Sequence, residues 1–331
     1  MEAFFNRVWA RRGMVAWLLW PLSLAYGGIV ALRRALYAAG VLRSCKVPVP
    51  VVVVGNVRVG GGGKSPTALA LVRHLHQRGW HVAVVSRGHG RSTHAPAVLE
   101  VRPDTPASDA GDEPLMLARQ LTALRVPVFV GARRVAAAQA ALTAYPATQV
   151  IVCDDGLQHL ALQRDVEVVV HSASGVGNGF LLPAGPLREP WPRRADATLD
   201  TSACRRLADV AVDMAGRELG LDTLGSNPVV AVAAIANPQV FFDMLRDKGV
   251  QLAQTIALPD HDDFSGWAAV RAALPQDAKI LCTEKDAVKL WALESQALAV
   301  PMILEPPKAF LVGVERKLAA VQAQGVADQA R

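Results

Sequence analysis

One junction in this chain constrains its fold more than any other. The run Val49–Val54 reads as a buried strand and leads into Gly55-Asn56-Val57-Arg58-Val59-Gly60-Gly61-Gly62-Gly63-Lys64-Ser65; Lys64–Arg78 then has helical spacing, with Leu69, Leu71, Val72 and Leu75 apolar. Strand, glycine loop and helix in that order let backbone N–H groups turn inward around phosphate oxygens, with the positive end of the helix dipole behind them. Lys64 would reach the outer phosphates of a nucleotide, and Ser65 would offer its hydroxyl to Mg²⁺. In the common G-x-x-x-x-G-K-[ST] pattern the first glycine would fall at Arg58; here Gly60 and Gly61 cover the turn. A merely flexible glycine loop needs neither a strand before it nor Gly-Lys-Ser at a helix start. The chain reads as a nucleotide-phosphate binder.

The segments that follow alternate. Strands are expected at His81–Ser86, Val126–Val130, Gln149–Cys153 and Val166–Val170, with helices at Asp112–Leu124 and Arg133–Ala144 between them. That order predicts an α/β fold: a P-loop NTPase-like, mostly parallel sheet with helices on both faces. Ligands of such sheets bind beyond the carboxyl ends of the strands. A proline-rich loop, Leu182–Arg194, follows. After Gly225-Ser226-Asn227-Pro228 the pattern restarts, with strands at Val229–Ile235, Lys279–Thr283 and Met302–Leu304 and a helix at Pro238–Lys248. The expected division is residues 1–46 as a membrane-associating segment, 47–225 as the nucleotide core, and 226–331 as a smaller C-terminal α/β unit.

The charge of +6 is local. Residues 1–46 hold seven basic groups against Glu2, and the rest of the chain balances to zero. A neutral body argues against nucleic acid as a partner. Gly13–Leu32 carries no charge, is flanked by Arg11-Arg12 and Arg33-Arg34, and contains Trp17, Trp20 and Tyr26. It is about long enough to cross a bilayer, but Pro21 and Gly27-Gly28 interrupt it. Contact with an anionic membrane surface is the favoured reading, and spanning versus lying in the interface stays open. The four cysteines are scattered with no metal spacing, which points to a reducing compartment.

Several residues could carry chemistry. Asp154-Asp155 ends a core strand, where P-loop proteins hold Mg²⁺; two adjacent carboxylates there repel unless a cation intervenes. Gln158 and His159 follow and are expected to project to the same face. Asp112-Glu113-Pro114 opens a helix, where acids are also favoured by the helix dipole alone. Arg87-Gly88-His89-Gly90-Arg91 and Arg133-Arg134 leave strands at their carboxyl ends and suit an anionic ligand. Asp260-His261 lies in the second unit. His74, His76, His81, His94 and His171 read as structural or solvated.

Together these residues resemble the tetraacyldisaccharide 4′-kinase family, the lipid A 4′-kinases of Gram-negative bacteria, from the N-terminal helix through Lys289. The carrying motifs are Gly55-Asn56 with Gly60–Pro66, Ser86–Arg91, Gly111–Pro114 and Asp154–His159. Leu182–Pro190, Arg194-Ala195-Asp196, Ala236-Asn237-Pro238, Asp260-His261 with Phe264, and Thr283–Ala287 extend them. The resemblance implies transfer of the ATP γ-phosphoryl group to the 4′-hydroxyl of a tetraacyldisaccharide 1-phosphate, with Mg²⁺, at the cytoplasmic face of the bacterial inner membrane. A monomer is expected. It implies Asp112 as general base, supported by His261 across a cleft that closes for chemistry. It further implies nucleotide contacts by Arg58, Val59, Gly60, Gly61, Gly62, Gly63, Lys64 and Ser65. A metal site would use Ser65, Asp154, Asp155 and Glu113. The headgroup side would use His89, Arg91, Arg133, Gln158 and His159. Near the strand-end acids, Asp112 is expected to have a raised pKa.

Two other classes compete. A GTPase or metal-insertion ATPase would share the sheet, but its guanine-reading Asn/Thr-Lys-x-Asp element has only Thr283-Glu284-Lys285-Asp286 to match, which lacks the intervening residue. A membrane-tethered nucleotide switch would leave the Asp112/His261 pair without a purpose.

Overall fold

The computed structural model describes residues 2–60, 62–172, 175–225, 227–235 and 237–329. Gly61 of the phosphate loop and Ala236 of the Ala236-Asn237-Pro238 motif lie outside them. In chain order, the first part holds α1 (Glu2–Ala10), α2 (Met14–Ala38), β1 (Val51–Gly55), α3 (Lys64–Gln77), β2 (Val82–Ser86), β3 (Val98–Val101), α4 (Ala107–Ala110), α5 (Asp112–Leu121), β4 (Val128–Gly131), α6 (Arg134–Ala144), β5 (Val150–Asp154), β6 (Val166–His171) and β7 (Ala197–Asp200). The second holds β8 (Arg205–Leu207), β9 (Val210–Val212), β10 (Glu218–Gly220), β11 (Val229–Ala233), α7 (Pro238–Asp247), β12 (Leu252–Ala257), α8 (Trp267–Ala272), β13 (Lys279–Thr283), α9 (Glu284–Leu290), β14 (Leu298–Val300), β15 (Met302–Leu304) and α10 (Lys308–Gln329).

Among the described residues β1–β7 form one sheet in the order β3-β4-β2-β5-β1-β6-β7. Its neighbours are parallel except β3 and β4. The valine runs follow from burial on both faces. Val52 and Val54 pack with α3 and α5, while Val51 and Val53 pack with α6 on the other side. The expected α/β sheet with helices on both faces is therefore present. Val54 pairs with Asp154 in register, so the phosphate loop and the paired acids leave the sheet side by side.

A second sheet has the order β10-β9-β14-β13-β11-β12, and β8 pairs with β15 in a two-stranded antiparallel ribbon. Sheet membership does not change at residue 226 as the restart in pattern suggests. Strands β9 and β10 already belong to the second sheet, and the expected strand Met302–Leu304 sits in the ribbon. The final helix also returns to the first body: Val314 and Leu318 are fully buried in the core that holds α3. These strands are too short to show alternation, and the apolar stripe of α10 finds its partner far back in the chain.

Helix α2 runs to Ala38, past the uncharged stretch that ends at Leu32, and carries Pro21 inside it. One face is tied to the loop around Leu181. Ser23 Oγ donates to Leu181 O (2.8 Å), Tyr26 Oη to Arg188 O (3.0 Å), and Arg34 pairs with Glu189 (2.9 Å). The opposite face leaves Met14, Leu18, Leu22, Ile29 and Leu32 exposed. The same loop braces the phosphate loop, since Val59 N–H donates to Pro186 O (2.9 Å) and Arg188 N–H to Val57 O (2.7 Å).

Candidate active site

The phosphate loop turns into α3 at Gly63, whose φ is +82° and whose position has no room for a side chain: a Cβ there would lie 2.7 Å from Arg205 Nη2. Arg58 forms an isolated bridge to Leu187 rather than a glycine turn. Lys64 Nζ is 3.3 Å from Asp155 Oδ1, and Ser65 Oγ donates to Asp154 Oδ2 at 2.8 Å. The two adjacent acids thus do different things. Asp154 is buried, keeps Oδ1 without a partner, and has its pKa pushed up to about 7 by burial and then by Asp155. Asp155 turns away at φ +50°. Burial opposes its charge, but Lys64 and Arg188 outweigh that and hold its carboxyl below the usual range.

Second, Gly111 (φ +84°) swings the chain into α5, which places Asp112 and Glu113 in the first turn. Asp112 is buried. Its Oδ2 lies 3.2 Å from His261 Nδ1 and 2.8 Å from Lys289 Nζ, both from the second part of the chain. Helix α9 is capped by Thr283, whose Oγ1 accepts from Asp286 N–H (3.2 Å). That cap sets Lys285 and Lys289, four residues apart, on one face. Lys285 Nζ lies 3.0 Å from Asp260 Oδ1, 3.2 Å from His261 Nε2 and 3.6 Å from Glu113 Oε1. His261 is held at φ +64°, an uncommon conformation for a non-glycine residue.

The expected rise in the Asp112 pKa is not found. Burial pushes it up, but hydrogen bonds from His261 and Lys289 pull it below the ordinary value. The same bond to Asp112 raises His261. The expectation weighed only the neighbouring acids, whereas two basic side chains face this carboxylate. Contact between His261 and Asp112 also exists in this arrangement without any further closure.

The other expected residues separate. His89 lies beside His261, ring centroids 5.0 Å apart and planes tilted by 45°, and burial followed by His261 lowers its pKa. Arg91 spends its donors on the carbonyls of Asp109 and Pro96, bracing its own loop. Arg133 is exposed, whereas Arg134 is buried and donates to Asp155 O (3.1 Å). Gln158 donates to Asn56 O (3.1 Å) and Glu189 (2.8 Å) and accepts from Arg188 (3.3 Å). Gln158 therefore stands between the phosphate loop and α2. His159 lies among arginines, where burial and Arg134 drive its pKa down to about 4.

Lys285, Lys289, Arg188 and Glu189 carry no assignment from the sequence, and of the Arg133-Arg134 pair it is Arg134 that reaches the paired acids. The first four fall inside the quoted Thr283–Ala287 and Leu182–Pro190 motifs or beside them, and spacing alone could not say which acid they would meet. Among the described residues no three His, Cys, Asp or Glu side chains converge on a metal-sized gap. Mg²⁺ needs no such cage: it is commonly held by one or two carboxylates together with substrate phosphates. Ser65 with the orphaned Asp154 oxygen fits that donor set.

Comparison with known proteins gives a consistent result. The family model described as "Tetraacyldisaccharide-1-P 4'-kinase" matches residues 15–319. A tetraacyldisaccharide 4'-kinase of Acidovorax sp. (strain JS42) is 51% identical over 330 residues, covering 96% of this chain and 95% of the relative. One from Polaromonas sp. (strain JS666 / ATCC BAA-500) is 48% identical over 335 residues, covering 96% and 97%. Among solved structures, "apo" form LpxK from Aquifex aeolicus in complex with ATP superposes with a TM-score of 0.78 at 28% identity, covering 93% of this chain and 99% of that one.

Proposed function

The chain belongs to the tetraacyldisaccharide-1-P 4'-kinase family, and from that premise we propose how its residues divide the work. The enzyme transfers the γ-phosphoryl group of ATP to the 4′-hydroxyl of tetraacyldisaccharide 1-phosphate, in lipid A biosynthesis. Phosphoryl transfer has a loose transition state, so the protein mainly positions groups and neutralises charge.

Asp112 orients the 4′-hydroxyl and accepts its proton. The observation that carries this reading is the grip on its carboxylate by His261 (3.2 Å) and Lys289 (2.8 Å). A carboxylate held below its ordinary pKa is a weak base but a permanently ionised one, and orientation of the nucleophile is what this transition state demands. Lys64 neutralises the outer phosphates. When bound, Mg²⁺ would supply positive charge against the charge that develops on the phosphates. Ser65 and Asp154 would hold it, while Asp155 holds Lys64 in place. Glu113 faces Lys285 and belongs to the link with the second unit. The backbone of the loop from Arg58 to Gly63 supplies the phosphate cradle. Gln158 and Arg188 support Asp155 and the loop, and His89, Arg91, Arg133 and His159 stay as candidates for the headgroup side.

Helix α2 lies along the cytoplasmic face of the membrane rather than crossing it. Its polar ties from Ser23 to Arg34 seat one face on the protein, which lipid could not surround, and its exposed face is apolar. An acyl-chain acceptor is reached from that plane. The unit built on the second sheet serves as the body that brings His261 and Lys289 to Asp112.

The test is Asp112→Asn and His261→Ala assayed with saturating ATP and glycolipid in micelles. Asp112→Asn should lower kcat by about 10²–10⁴-fold with ATP affinity nearly unchanged. Full kcat in Asp112→Asn would overturn the assignment.

A further inference from the structure

Arg205 opens strand β8 of the ribbon that joins the two sheets, and its side chain lies against the phosphate loop. Its Nη2 is 2.7 Å from the position a Cβ on Gly63 would take. It donates to Thr201 Oγ1 at 3.3 Å, and that hydroxyl donates to Gly62 O at 3.1 Å. The Nε is buried with no hydrogen-bond partner. Burial is the one influence on its ionisation, and it disfavours the charge. Among the described residues no carboxylate pairs with it, whereas its neighbour Arg206 is exposed and pairs with Glu305 at 2.6 Å. A half-buried guanidinium with its Nε sealed from water cannot escape by losing its proton, and without a counter-charge it weakens the fold. Arginine is also the side chain best shaped to take phosphate oxygens.

We propose that Arg205 is a further phosphate ligand of the ATP site, contributed by the ribbon between the sheets rather than by the phosphate-loop sheet. Its donors meet the phosphate chain beside Gly63, and Thr201 holds the guanidinium in that place. ATP then bridges the phosphate loop and the ribbon, so an occupied site ties the second unit to the first. This rests on the reading of residues 55–65 as the ATP-binding loop.

The test uses the full chain, with ATP and adenosine affinities measured by calorimetry and melting followed without nucleotide. Arg205→Gln should bind ATP at least about tenfold more weakly, bind adenosine as before, and melt in the nucleotide-free state no lower than the parent. Arg205→Lys, which keeps the charge but loses the fork, should fall between them, and Arg206→Gln should match the parent in ATP affinity. Unchanged ATP affinity in Arg205→Gln or Arg205→Lys overturns the proposal. A lower nucleotide-free melting point with equal losses for ATP and adenosine also overturns it, because it marks Arg205 as a brace of the loop. Lys64→Ala separates the two levels: if it too binds ATP normally, the loop reading itself fails; if it alone loses ATP, only Arg205 is misassigned.

Discussion

Asp112 is one negative charge gripped by His261 and Lys289, and the balance at that atom decides how the enzyme responds to pH. Burial raises the carboxyl pKa, the hydrogen bonds and charges of His261 and Lys289 together lower it by more, and the net result is below the ordinary value. A depressed carboxyl stays ionised until the pH falls through its folded pKa. Removing Lys289 leaves burial with less opposition, so the acid limb of kcat/KM in Lys289→Met should move to higher pH. An acid limb in the parent position would mean that Asp112 is not the titrating group. The family resemblance pairs Asp112 with His261, which local chemistry alone does not, and weighing only the neighbouring acids points the shift the wrong way. Lys289 lies 177 residues from Asp112 in the chain, and nothing local in either segment announces their contact.

At the level of elements, the valine-rich strands and the strand–loop–helix junction were readable because a strand buried on both faces must be apolar throughout. The edge strand β3, the short strands β8–β10 and the docking of α10 were not. A three-residue strand has no period, and a helix cannot report which distant surface covers its stripe. Leu318 is fully buried in the first core. Leu318→Ala should therefore cost about 2–5 kcal/mol in unfolding free energy, measured by denaturant titration, while folded enzyme keeps its turnover. A cost near zero would show that α10 is not part of that core. Helix α2 makes the opposite case. Leu18 and Ile29 lie on its unpartnered face, 80% and 66% exposed. Each large apolar side chain contributes about 1.5–3 kcal/mol when removed from water. Leu18→Glu with Ile29→Glu should weaken binding to anionic vesicles more than about tenfold and leave ATP affinity alone. Undiminished vesicle binding would contradict the interfacial placement of α2.

Across the whole molecule, the site is assembled from distant parts. The first sheet supplies the phosphate loop and the paired acids, α5 supplies Asp112, and the second unit supplies His261, Lys285 and Lys289. The loop around Leu181 joins α2 to the phosphate loop through Arg188, Glu189 and Gln158. Motifs in the sequence marked most of these segments, but which side chain meets which is a property of the packing. The exposed apolar face of α2, the phosphate loop and the proposed acceptor base Asp112 therefore occupy one connected assembly. The most direct test of that account is transfer of label from γ-labelled ATP to a tetraacyldisaccharide 1-phosphate in detergent micelles, comparing the parent chain with Lys64→Ala and Asp112→Asn. The account predicts label at the 4′ position with the parent, and loss of label with both variants while Asp112→Asn still binds ATP. ATP turnover without labelled glycolipid in the parent, or full labelling by Asp112→Asn, would contradict it.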